Sequence, residues 1–254
     1  MTALRATAFM RPVIACLALP VILGVALEVA ARAGWVSPFV LPPPSRVIAA
    51  VPDLFLREGL IGLFAISTGI TLLASLIAIL IGIPAGFFLY LRRDFGAAYE
   101  SWLGAIFAAP IILLYPLFLV IFGRGLQTLV VMGVLVGVTP VLLSTYRGLK
   151  GIPVVYLRVA RSFNMPQHEI WWKVLTPAAL PAIFTGIRLT LIYTMINTIA
   201  MEFLIAIGGL GFLVGNLYDR YRIPDMYAAV GFVIVASILF FVLIDRMEKW
   251  ATRA

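Results

Sequence analysis

Few residues in this sequence are of types that can do chemistry, and their spacing excludes most of it. Glu28, Arg188 and Glu202 are the ionisable residues inside long apolar runs, each near a run's end. The single histidine, His168, sits in a polar loop without a set of further ligands at metal spacing, so no metal site is expected. One histidine also makes no nucleophile–base constellation. Cys16 is the sole cysteine, which rules out an internal disulfide or a dithiol centre. No G-x-x-x-x-G-K-[ST] loop is present to cradle nucleotide phosphates. The expectation is no catalytic residue, no metal and no cofactor bound by this chain.

What remains is polar and uncharged. Ser67, Thr71 and Ser75 recur at i, i+4 and i+8, while Thr190, Thr194, Asn197 and Met201 share one face of a second helix. Glu202 lies about 100° round from that second stripe. Two readings stand. Hydroxyls in membrane helices bond their own backbone or a neighbouring helix. Alternatively the stripes wall a wet path for a polar solute. Glu202 is then a gate or loop anchor rather than a hydrated residue at the boundary.

The elements that must position these residues are membrane spans. The 254 residues are 63% hydrophobic and 12% charged, where soluble domains average about 25% charged. An all-α polytopic membrane protein is expected. The net charge of +8 is distributed between apolar runs, which argues for membrane topology and against a nucleic-acid partner. Six spans are expected: 12–30, 60–91 with a kink at Gly82-Ile83-Pro84, 103–122 interrupted by Pro110 and Pro116, 126–146 with Pro140 inside, 183–207, and 227–244. The first reads as a retained helix, although Ala31-Arg32-Ala33 has the form of a signal-peptide cleavage site. The layout divides into 1–34, an extracytoplasmic segment 35–59 in which Ser45 caps an amphipathic helix, and a core 60–254. Thirteen of the 19 Lys and Arg fall on the side of the termini and the 147–182 loop. Arg32, Arg46, Arg57, Arg124, Arg220 and Arg222 fall on the other. The bias puts both termini and that loop in the cytoplasm.

The loop is expected to hold two helices, 154–163 and 167–175. Asn164 makes a left-handed turn between them and caps the second, with Gln167 as its capping-box partner. Ile170, Trp171, Val174 and Leu175 form an apolar stripe that wants a groove in lipid or in a protein partner, and Glu169 pairs with Lys173. Pro177 and Pro181 lead back into the membrane.

These residues carry a resemblance. The run from Val159-Ala160-Arg161-Ser162-Phe163-Asn164 through Lys173-Val174-Leu175-Thr176-Pro177-Ala178-Ala179-Leu180-Pro181 and Gly186-Ile187-Arg188-Leu189 resembles the EAA loop of ABC-importer permeases. Leu41-Pro42-Pro43-Pro44-Ser45 resembles the branch importing nitrate, sulfonates, taurine and thiamine precursors. Weaker matches at 82–86, Pro110, Pro116, Phe122-Gly123, Glu202, 209–211 and Asp245…Trp250 extend it over roughly 35–250. The resemblance implies a bacterial inner-membrane permease moving a small polar, anionic solute inward. It implies a second permease copy or a paralogous permease, two cytoplasmic ATPases that bind the ATP and Mg, and an extracytoplasmic solute-binding protein. Arg158, Ala160, Asn164, Gln167, Glu169, Ile170, Trp171, Val174, Pro177 and Pro181 become the ATPase-coupling segment, with 167–175 as its docking helix. Three departures stand out. Arg158 replaces the family's glutamate, Asn164 replaces its glycine, and Ile70 stands where many relatives carry a basic residue. The Arg158 replacement implies a dedicated ATPase or an unlike second permease. A membrane scaffold that docks a cytoplasmic partner without transport is the alternative.

Overall fold

The structure is a computed structural model and describes residues 19–251. Arg5, Arg11, Cys16 and the start of the first expected span lie outside the described residues, as does Arg253. The described part of that span is helical over 19–32 (α1). The chain continues through α2 (Pro44–Leu56), α3 (Leu60–Leu91), α4 (Arg93–Ala108), a 3-10 turn Ile111–Leu114 and α5 (Tyr115–Phe122). It goes on through α6 (Leu126–Lys150), α7 (Val154–Ser162), α8 (Gln167–Ile170), a wide π turn Trp171–Leu175, α9 (Thr176–Ile205), α10 (Leu210–Asp219) and α11 (Ile223–Ala251). Among the described residues there is no strand. Among the described residues four helices are long and apolar enough to cross a membrane, or five if the pair α4–α5 counts as one.

The centre of the bundle is α6, sandwiched between α3 and α9. Glycines permit the close approach. A Cβ on Gly137 would stand 2.6 Å from Thr194 Oγ1, and one on Gly86 would stand 2.7 Å from Cβ of Thr145. Small residues at helix contacts are how membrane helices gain dispersion energy, since lipid tails leave little hydrophobic drive.

Prolines act differently by context. The kink expected at Pro84 does not break α3, which runs 32 residues without interruption. Gly82 and Gly86 on either side seat α3 directly on α6, and that packing holds it. At Pro110 the helix does break, and α4 and α5 meet at 77°. No residue of α5 is fully buried within the chain, although Tyr115, Phe118 and Leu119 rest on the core, and the break is the one that proline sterics favour. The third expected span is therefore two helices, the first of which starts at Arg93 rather than at 103.

Two sequence-based caps are corrected. The helix after the triple proline starts at Pro44, and Ser45 does not cap it. Glu28 of α1 reaches across instead, accepting from the Ser45 N–H at 3.0 Å and from its hydroxyl at 2.7 Å. Asn164 does take the left-handed turn, with φ 52°. Helix α8 nevertheless begins after Pro166 without a side-chain cap, so the Asn164–Gln167 capping box does not form.

Candidate functional site

The loop from Arg147 to Pro181 is built on two supports. At its base, Glu100 of α4 accepts from Arg147 at 3.0 Å and from Lys150 at 2.8 Å, which fixes the end of α6. Further on, the chain does not stop at residue 175 as expected. It passes from α8 through the π turn into α9 with αR backbone throughout, so Pro177 and Pro181 lie inside a helix reaching from Gln167 to Ile205. Pro177 directly follows the π turn, in the first turn of α9. Glu169 pairs with Lys173 at 2.8 Å, and that ammonium holds the Glu169 carboxyl below its usual range.

The apolar stripe of 167–175 points inward, which corrects its expected outward role. Ile170 and Leu175 are buried, with Leu149, Ala160, Ala179 and Ile183 around them. Trp171 lies against Phe87 and Tyr90, with ring centroids 5.9 and 5.8 Å away. Val174 is partly buried on the same cluster. Trp172 is the large apolar residue of this stretch that faces out, at 75% exposure, beside the exposed polar Gln167, His168 and Lys173. A carboxylate placed at Trp171 or Val174 would therefore damage this packing rather than test docking alone.

Helix α7 has the reverse character. Ala160 is its one buried residue. Val154, Val155, Tyr156, Arg158, Val159, Arg161 and Phe163 are exposed around it. Sequence reasoning put Arg158 and Ala160 in the coupling segment but took 167–175, not this helix, as the docking element. The spacing of Val155 and Val159, with Arg158 between them, was the signal that could have found this face.

The polar stripes end up inside the bundle. Ser67, Thr71, Ser75, Thr190, Thr194, Asn197, Met201 and Glu202 are all buried. Thr190 donates its hydroxyl to the Gly137 carbonyl at 2.7 Å. Asn197 also lines an open groove of about 240 Å³ between α9 and the Pro110 break, with Tyr193, Ile196 and Ile112. Its Nδ2 has no hydrogen-bond partner among the described residues.

Glu202 does not sit at a hydrated boundary, being 0% exposed. Its Oε2 accepts from Ser67 Oγ at 2.8 Å and from the Gly211 N–H at 3.0 Å. Ser67 Oγ in turn accepts from the Leu210 N–H at 2.8 Å. A carboxylate of α9 thus occupies the N-terminus of α10, where free N–H groups and the helix dipole favour an anion. Gly209 has φ 95°, and a Cβ there would collide with this carboxylate. Beside it, Arg124 of the α5–α6 turn donates to the Ile205 carbonyl at 2.6 Å and closes the end of α9.

Comparison with known proteins gives this arrangement a family. The taurine transport system permease protein TauC of Escherichia coli is 30% identical over 210 residues, 81% of this chain and 76% of its own length. The bicarbonate transport system permease protein CmpB of Synechococcus elongatus is 30% identical over 178 residues, 70% of this chain and 63% of its own. A solved chain of the MetNI methionine ABC transporter, in an inward-facing conformation, superposes with a TM-score of 0.65. It covers 80% of this chain and 97% of its own at 22% identity, a likeness of fold. The model for binding-protein-dependent transport system inner membrane components matches residues 78–254. The chain belongs to that family: it is a permease subunit of an ABC importer, and the ATPase is a separate subunit.

Proposed function

We propose that this permease carries a small oxyanion, of the sulfonate or bicarbonate kind, inward by alternating access. The relatives named for taurine and bicarbonate support that solute class, because a sulfonate and a bicarbonate share compact, oxygen-rich, negatively charged heads. Two permease copies, or this chain with a paralogue, would assemble with two cytoplasmic ATPases that bind the ATP and Mg and with an extracytoplasmic binding protein. Both termini and the 147–182 loop would face the cytoplasm.

The observation that carries the reading is the contrast within the loop. Helix α7 offers an unpartnered face, while α8 and the π turn are seated on the core and continuous with α9. A helix docked through α7 can pass ATPase closure along this rigid path to the spans. Arg158, Ala160 and Asn164 would then serve docking. Gln167, Glu169, Ile170, Trp171, Val174, Pro177 and Pro181 would serve transmission. Asn197, at its open groove, would meet the solute, and the buried Ser67, Thr71, Ser75, Thr190, Thr194, Met201 and Glu202 would hold the wall behind it.

Reconstitution in liposomes with ATPase and binding protein tests the reading, using labelled taurine, an alkanesulfonate and bicarbonate. Uptake of one of them with binding-protein-stimulated ATP hydrolysis is expected. Full assembly without uptake of any solute would instead favour a scaffold.

A further inference from the structure

The exposed face of α7 has a charge pattern that specifies its partner. On a 3.6-residue period, Arg158 lies about 160° round from the buried Ala160, at the middle of the exposed face. Val155 and Val159 follow on one flank, and Arg161 lies on the other, about 60° from Arg158. The other described cations of the loop are matched: Arg147 and Lys150 by Glu100, Lys173 by Glu169, and Arg188 by Asp245 and Glu248. Arg158 and Arg161 have no hydrogen bond or ion pair among the described residues. The loop's one acidic residue, Glu169, is already paired.

A groove that closes over α7 must dehydrate the Arg158 guanidinium. An arginine at the edge of a contact can stay wet, but one at the centre cannot, and guanidinium does not shed its proton. Its fixed fork is satisfied by a carboxylate that accepts two parallel N–H bonds. We propose that the ATPase surface receiving α7 is an apolar groove with a carboxylate on its floor for Arg158 and a second acidic group at its rim for Arg161. The proposal rests on the reading of α7 as the docking helix. It adds that the partner is selected by charge, because a groove built for a glutamate at this position presents the wrong sign to Arg158.

The test holds the permease in phosphatidylcholine nanodiscs and titrates the purified ATPase subunit with which it co-purifies. Wild-type affinity should fall as salt rises. Arg158→Glu should weaken binding at least 100-fold, Arg158→Lys several-fold because a point charge does not fill the fork, and Arg161→Glu about 10-fold, as for a rim charge. Val159→Ser should weaken binding while leaving the salt dependence intact. An acid-to-arginine change on the groove floor should restore the Arg158→Glu variant. All substituted residues are exposed, and size-exclusion profiles check the fold. Arginine variants that bind like wild type while Val159→Ser does not would overturn the acidic groove and leave docking through α7 standing. Unchanged binding for every variant would overturn the docking reading itself. Binding that appears only with anionic lipid in the nanodisc would assign the arginines to lipid headgroups and overturn the proposal.

Discussion

The helix that runs from Gln167 to Ile205 ends in two different ways. At its N-terminal end it supports α7, whose outward face carries two unmatched guanidinium groups beside exposed valines. At its C-terminal end it closes on itself, with the Glu202 carboxylate held by Ser67 and Gly211 and the Ile205 carbonyl taken by Arg124. At one end the charged groups have no partner among the described residues, whereas at the other a buried carboxylate is held by groups of this chain. In the proposed reading the first end is where a second protein docks and the second is internal structure.

The largest expected effect tests whether the loop's inner face is core. Ile170→Asp buries an unpaired charge, and a loss of about 4 kcal/mol or more is expected in SDS-titrated unfolding. Glu202→Ala should cost about 2 kcal/mol in the same titration, because the Gly211 N–H and the Ser67 hydroxyl lose their acceptor. Glu202→Gln keeps an acceptor oxygen and should cost less, and equal losses for the two would mean that Glu202 acts through packing alone. Gly209→Ala should cost about 1–3 kcal/mol through its left-handed backbone and its collision with Glu202. Val159→Ser, on the open end, should change stability by less than about 0.5 kcal/mol. A large loss there would mean that the α7 face is already covered. The smallest effect is expected at Asn164. Asn164→Gly should shift stability by only a few tenths of a kcal/mol, since both residues accept φ near 52°.

Much of this was legible in the sequence because it is local. Apolar runs identified most of the membrane helices, and Asn164 before Met165-Pro166 marked the left-handed turn. What was not legible depended on partners distant in the chain. Periodicity put Ile170, Trp171, Val174 and Leu175 on one face but could not say that Leu149 and Phe87 cover it. Ser45 reads as a cap until Glu28, 17 residues earlier, takes its N–H. Pro84 and Pro110 look alike in sequence, yet α3 runs on through the first, closely packed against α6, while the chain breaks at the second.

The π turn at Trp171–Leu175 has a consequence for insertions and deletions. A π turn closes i to i+5 hydrogen bonds and so holds an extra residue relative to α-helix. Deleting one residue there can be absorbed by regular helix without a gap. The flanking segments would then keep nearly the same faces, with Ile170 still in the core, because the turn itself had taken up the extra residue. A deletion in the regular helix of α9 would instead turn the two parts by about 100° relative to each other. A homologue one residue shorter across 171–175 should therefore keep its docking residues at the same positions along α7.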